Sequence, residues 1–161
     1  MSNVAIDPVD EGMIVMTHTL DAPRELVWTA FTDPKHVVHW YGGKGFSNPV
    51  CEMDVRPGGE WRHVMRTPDG AEHPLSFVFV EVVRPEKLSW RSADDGAEEP
   101  RSSLSTLTLS EDGRRTKVKF VARFASNAAR DMAMSWGFAT VLREGVDRMA
   151  EVLKTMASES T

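Results

Sequence analysis

The chain has 161 residues, and its 41% hydrophobic and 27% charged content is typical of one folded globular domain rather than of a disordered chain. Its formal charge of −5 argues against a nucleic-acid surface, because phosphate binding needs a clustered basic face, and no apolar run approaches the ~18 residues of a membrane span. A single cysteine, with no basic N-terminus leading into an apolar run, predicts a cytoplasmic protein.

The N-terminal third is predicted to hold an arm, a strand and two short helices. Residues 1–12 are polar and mixed, and we expect a loose arm there. Residues 13–20 alternate and are β-friendly on both sides, which predicts a strand. Pro23 suits the first turn of a helix, and Asp33-Pro34 predicts the start of a second short helix.

Strand and turn signals then alternate as far as residue 124. Short links between consecutive runs predict an antiparallel meander. The densest basic group, Arg114, Arg115, Lys117 and Lys119, alternates along the last run, which indicates a solvated outer face. The predicted strands cover residues 50–55, 60–66, 75–83, 87–92, 102–109 and 115–124.

Pro57-Gly58-Gly59 is the turn with the most specific expectation. We expect positive φ at these glycines, in a turn between two strands, because only glycine adopts that region cheaply. Replacing a glycine of positive φ by Val should then cost at least about 1 kcal/mol.

The C-terminal part predicts one long helix. Ser126 and Asn127 are both good N-caps, and apolar residues then recur every 3.6 residues to about Met156. A helix of this length would span on the order of 45 Å. Its apolar stripe comprises Phe138, Leu142, Val146, Met149, Leu153 and Met156.

Seven short motifs occur in a characteristic order along the chain. They are Ala22-Pro23-Arg24-Glu25-Leu26-Val27-Trp28, Thr32-Asp33-Pro34, His39-Trp40-Tyr41-Gly42, Asp54-Val55-Arg56-Pro57-Gly58-Gly59-Glu60-Trp61, Pro68-Asp69-Gly70, Pro85-Glu86-Lys87-Leu88 and Val146-Asp147-Arg148-Met149. The ordered set, over about residues 13–156, resembles the bacterial proteins related to the C-terminal domain of the activator of the ninety-kilodalton heat-shock chaperone's ATPase. That family lies within the START and birch-pollen-allergen-like (SRPBCC) superfamily.

The resemblance implies an α+β helix-grip fold, a curved antiparallel sheet around a long C-terminal helix, with an apolar cavity between the two. Members of the superfamily bind lipids, hormones or polyketides, cyclise or hydrolyse them, or assist chaperones, so function must be argued from the site. Two departures concern the cavity wall. Phe77 stands in a strand where the family often has Gly, and Trp136 is the only tryptophan near the Gly-Trp that the family would place by Glu144 or Leu142.

Large aromatic and sulfur-containing side chains dominate the predicted cavity lining. Any one of them is explained by ordinary core packing, but five tryptophans and nine methionines together favour a pocket for an apolar ligand. We expect a cavity of around 300–1,000 Å³. The predicted ligand-binding residues are Trp40, Tyr41, Trp61, His63, Met65, Phe77, Phe79, Trp90, Phe120, Trp136, Phe138 and Leu142.

His63 is the polar residue of greatest interest. By period two it shares a face with Trp61 and Met65, because the opposite parity would bury three charges of the same strand. It could contact a ligand or act as a general base with Tyr41 as acid, or it could be a hydrogen-bonded core histidine. His36 and His39 are three apart, but no third ligand has a motif spacing, so we expect neither metal nor cofactor.

Binding of an unidentified apolar or amphipathic small molecule is the favoured function. An enzyme of the cyclase or hydrolase kind is one alternative, although no nucleophile motif accompanies Cys51 or any serine. A chaperone-assisting module is the other. A homodimer and a chaperone are weaker partner expectations than the small molecule.

Overall fold

The computed structural model of the chain describes residues 5–9, 12–93, 104–135 and 137–159. Eight antiparallel strands form one curved sheet in the order β1-β2-β8-β7-β6-β5-β4-β3. The strands are β1 (Ala5–Val9), β2 (Met13–Leu20), β3 (Ser47–Met53), β4 (Glu60–Arg66), β5 (Glu72–Val83), β6 (Lys87–Ser92), β7 (Leu104–Asp112) and β8 (Arg115–Arg123). The helices are α1 (Arg24–Thr32), α2 (Pro34–Trp40), α3 (Asn127–Ser135) and α4 (Phe138–Glu159). The predicted meander and helix-grip fold are confirmed.

The first strand corrects the expectation of a loose arm over residues 1–12. Ala5–Val9 pairs with β2, from Ala5 opposite Thr17 to Val9 opposite Met13. β1 is an edge strand, where a proline that cannot donate a ladder hydrogen bond is tolerated, so Pro8 does not prevent pairing.

The two short helices begin as predicted. Pro23 precedes α1 with extended backbone, and its carbonyl accepts from the amide of Val27 at 3.1 Å. The Asp33 carboxylate accepts from the Lys35 amide at 3.1 Å, and Pro34 occupies the first turn of α2. Both starts use a proline where its missing N–H costs nothing.

The C-terminal helix differs from the single long helix expected. α3 and α4 are separate, and Gly137, with φ of +91°, lies between them, so α4 alone spans about 33 Å at 1.5 Å per residue. Ser126 is the cap, since its hydroxyl oxygen accepts from the Ala129 amide at 3.0 Å. None of the described helices has the length and apolar character needed to span a membrane.

The main core lies between the inner face of the sheet and α1, α2 and α4. Met149, Leu153 and Met156 of the predicted stripe are buried there. A smaller cluster around Ile14 and Phe124 packs against α3 and the start of α4. The helices therefore cover one face of the sheet and leave the other to solvent.

The Pro57-Gly58-Gly59 turn is confirmed at one glycine and corrected at the other. Gly58 has φ of +82°, whereas Gly59 is not among the glycines of positive φ. At Gly59 the constraint is space, because a Cβ atom there would collide with the carbonyl oxygen of Asp54.

Candidate functional site

The inner face of β4 has the predicted parity. The side chains of Trp61 and His63 are each 2% exposed, whereas Glu60, Arg62 and Arg66 are exposed on the outer face. The charged side chains thus stay solvated, and the aromatic rings of the strand are buried in the core.

Five aromatic rings form a continuous surface on this face, which we call the aromatic wall: Tyr41, Trp61, Phe77, Trp90 and Phe120. Trp61 is its centre, with ring centroids 5.8 Å from Tyr41, 4.8 Å from Phe77 and 5.6 Å from Trp90. The rings of Trp90 and Phe120 stack at 6.0 Å. Edge and offset contacts at these distances are the favoured geometries of aromatic pairs.

The predicted lining residues divide by exposure. Trp61, His63 and Phe79 are buried almost completely, so a ligand could not reach them without displacing other side chains. The other described members keep part of their surface accessible: Trp40, Tyr41, Met65, Phe77, Trp90, Phe120, Phe138 and Leu142. Trp136 lies outside the described residues. Side chains that a ligand could touch are therefore a subset of the predicted ones.

Two of these half-buried rings also have structural partners. Trp40 Nε1 donates to the carbonyl of Ala30 at 2.8 Å, which ties α2 to α1. Phe138 packs edge-on against Phe124 with centroids 5.5 Å apart, in the smaller core cluster. Trp40 and Phe138 therefore stabilise helix positions as well as bordering the inner face.

His63 is held in a chain of hydrogen bonds inside the core. Trp61 Nε1 donates to His63 Nδ1 at 3.2 Å, and His63 Nε2 lies 2.7 Å from Asn48 Oδ1. Because Nδ1 accepts, the assigned tautomer carries its proton on Nε2 and donates to Asn48. The Asn48 amide in turn donates to the carbonyls of Val38 and Tyr41, at 2.9 and 3.1 Å.

This arrangement favours the core-histidine interpretation over the general base. Both ring nitrogens are engaged, and burial lowers the pKa of His63 from 6.5 to about 4, so the imidazole is neutral at pH 7. A second buried histidine, His18, is 6% exposed and its pKa is also lowered by burial to about 4. Its Nδ1 has no hydrogen-bond partner within the described part of the chain.

The loop after α2 is anchored to α4. Arg148 Nη1 donates to the carbonyls of Tyr41 and Gly43, at 3.1 and 2.9 Å, and the Glu144 carboxylate accepts from the Lys44 amide at 3.2 Å. The Tyr41 ring packs on His63 with centroids 4.3 Å apart. The position of the Tyr41 ring is therefore set from both α4 and β4.

Other candidate chemical groups lack the surroundings that their chemistry needs. Burial raises the pKa of the Cys51 thiol to about 11, so it is not a thiolate at neutral pH. His36 and His39 stay on the surface side of α2, and no group of three potential metal ligands is found among the described residues.

Two pockets lie along the sheet in the described part of the chain, and neither is between the sheet and α4. One, of about 540 Å³, is at the β3–β4 end of the sheet and is lined mainly by charged residues and glycine. The other, of about 410 Å³, is on the outer face of β2, β8 and β7. The cavity expected between the sheet and the C-terminal helix stays a prediction.

Sequence reasoning missed Asn48 and the role of Arg148. Asn48 is 15 positions from its partner His63, and its identity alone does not distinguish a buried amide from a turn residue. Arg148 belongs to one of the motifs quoted above, but its carbonyl partners are more than 100 positions away. Both contacts depend on the tertiary fold.

A family model described as "Activator of Hsp90 ATPase homolog 1-like protein" matches residues 21–156. A Nitrosomonas europaea protein is 27% identical with a TM-score of 0.85, over 94% of this chain and 99% of that one. A Rhodobacter sphaeroides protein is 22% identical with a TM-score of 0.84, over 95% and 99%. An AHSA1-like protein of Aeromonas hydrophila is 18% identical with a TM-score of 0.67, over 89% and 94%. No curated protein matches significantly.

Proposed function

The chain belongs to the family of Activator of Hsp90 ATPase homolog 1-like proteins, and from that premise we propose that it binds an apolar or amphipathic small molecule against the aromatic wall. Proteins of this fold commonly bind hydrophobic ligands. The observation that carries the proposal is the incomplete burial of the wall. Phe77, Trp90 and Phe120 point to the inner face, which the helices cover, yet each keeps accessible surface.

Physical chemistry supports an apolar ligand at this position. Burying exposed apolar surface gains about 25 cal/mol per Å², and an aromatic contact adds about 0.5–1.5 kcal/mol beyond its area. His63 and Asn48, which lie beside the wall, already bond to each other. Recognition would therefore rest on shape and stacking.

The enzyme alternative has less support from the same geometry. A general base needs a free nitrogen within reach of the proton it removes, and both nitrogens of His63 have partners. Chaperone assistance rests on the family's name alone, and the cytoplasmic location and a homodimer stay predictions.

The test compares two phenylalanines of β5 that lie two positions apart. Phe77 is half-buried in the wall, whereas Phe79 is 1% exposed in the core. The neutral fluorophore N-phenyl-1-naphthylamine is titrated into the wild type, Phe77→Leu and Phe79→Leu. Phe77→Leu should weaken binding by about threefold to tenfold, the worth of one aromatic contact. Phe79→Leu should lower the free energy of unfolding by about 1 kcal/mol with affinity unchanged.

Two outcomes would contradict the proposal. One is that the wild type shows no saturable binding of the fluorophore. The other is that both variants weaken binding equally, since that would place the fluorophore on a generally loosened core rather than on the wall.

A further inference from the structure

The pocket on the outer face of the sheet is lined mainly by side chains that are hydrogen-bond donors. Besides His18 and Val118, whose side chains are buried on the inner face, every lining residue carries an ammonium or a hydroxyl group. These six residues are Thr17, Thr19, Thr108, Ser110, Lys117 and Lys119. The lining thus has two positive charges and no carboxylate, in a chain whose formal charge is −5.

Strand register arranges the six side chains in two rows across three neighbouring strands. β8 lies between β2 and β7 and supplies the lysine of each row. From β2 through β8 to β7, the rows are Thr19, Lys117, Ser110 and Thr17, Lys119, Thr108. The rows are two residues apart, roughly 6.6–6.8 Å, and neighbours within a row have Cβ atoms about 4.5–5.5 Å apart.

The two lysines differ from the cations around them in having no carboxylate partner within the described residues. Lys87 extends the second row beyond Thr108, but its ammonium is 3.1 Å from the Glu81 carboxylate. Arg115, on the same strand and face, lies 3.9 Å from the Asp21 carboxylate. Lys117 and Lys119 therefore keep their full charge available to a ligand.

We propose that this pocket binds the phosphate group of a small phosphorylated molecule. The charged oxygens of a phosphate group accept hydrogen bonds and do not donate them. This lining offers matching donors, ammonium and hydroxyl groups, on neighbouring strands. Two lysines in adjacent rows suit a diphosphate better than a single phosphate. The site lies on the opposite face of the sheet from the aromatic wall, so it does not depend on the function proposed above.

The test is a titration of the ¹⁵N-labelled full chain with inorganic phosphate and with pyrophosphate, followed by amide chemical shifts. We expect saturable shifts concentrated on β2, β7 and β8 at the six lining positions, with pyrophosphate the tighter ligand. Lys117→Met and Lys119→Met should each weaken pyrophosphate binding by at least about tenfold, the worth of one charge-assisted hydrogen bond. Thr108→Val should weaken it less. Lys154→Met removes the same charge at an exposed position on α4 and should leave affinity unchanged.

Three results would overturn the proposal. The first is no saturable shift at these positions with pyrophosphate on the order of 10 mM, where millimolar affinity would be evident. The second is an equal loss in Lys154→Met, which would indicate general charge screening. The third is binding to vesicles containing phosphatidylserine without any response to phosphate or pyrophosphate, which would make the patch a membrane-facing surface instead.

Discussion

Protonation of two buried histidines should make this fold sensitive to mild acid. Burial lowers the pKa of His63 and of His18 from 6.5 to about 4. Between these values the unfolded chain binds protons that the folded protein does not, so stability rises with pH across this window. The contribution is fully present above about pH 6.5 and is lost as the pH falls to about 4.

The size of the effect follows from the width of that window. From pH 6.5 to about 4, at about 1.4 kcal/mol per pH unit, each histidine gives roughly 3 kcal/mol. A domain of this size is typically stable by about 5–15 kcal/mol, so protonating both histidines would remove a large share of that stability.

The assay is urea unfolding followed by tryptophan fluorescence between about pH 7 and pH 4.5. His63→Gln should be less stable at pH 7, because Asn48 and Trp61 lose their partner, but its stability should fall less steeply. Near pH 5 the slope should be smaller by about 1.4 kcal/mol per pH unit. His39→Gln, at an exposed position on α2, is the matched control and should keep the wild-type slope.

A direct measurement covers the case in which His63→Gln does not fold. The imidazole of His63 in the wild type should stay neutral by NMR well below pH 6.5. Two results would refute the claim that His63 is neutral with both ring nitrogens hydrogen-bonded. One is titration of the His63 imidazole near pH 6.5, and the other is stability profiles of the wild type and His63→Gln that run parallel with pH.

Two further predictions concern glycines. Gly59→Ala should lower the free energy of unfolding far more than Gly58→Ala, because the new Cβ at position 59 would collide with the Asp54 carbonyl oxygen. The Cβ of Gly58→Ala meets no atom, so this change costs only the roughly 1–2 kcal/mol of left-handed backbone strain. Equal losses in urea unfolding would contradict this. Gly145→Ala should stabilise α4 by up to about 1 kcal/mol, because alanine favours a helix and its Cβ would lie in ordinary contact, 3.4 and 3.5 Å from the carbonyl oxygens of Gly42 and Trp40. The larger side chain of Gly145→Val has no such room and should destabilise the protein. Thermal melting of both variants checks that reversal of sign.

Sequence patterns predicted those parts of the fold that local chemistry determines. The parity of β4 followed from the cost of burying Glu60, Arg62 and Arg66, and the structure exposes all three. The start of α2 followed from Asp33 and Pro34, whose capping geometry needs no distant partner.

The features that the sequence patterns missed depend on contacts with distant parts of the chain. β1 contains Pro8 and polar residues, and only its place at the edge of β2 makes a strand of it. The helical period continues through residues 136 and 137, so the break at Gly137 left no gap in the pattern. Similarly, the engagement of both His63 nitrogens depends on Asn48, which the chain brings across from β3.

The pairing of β2 with β8 has a consequence for synthesis of the chain. Met13 lies opposite Arg123, so β8, which pairs with β2 on the side away from β1, is translated about a hundred residues after β2. At roughly 5–20 residues per second, the nascent β2 waits about 5–20 s before its partner leaves the ribosome. The apolar residues of β2 can meanwhile pair with β1 alone, and contacts of this sequence separation form slowly. We therefore expect β2 to be the segment that a nascent-chain holdase protects longest.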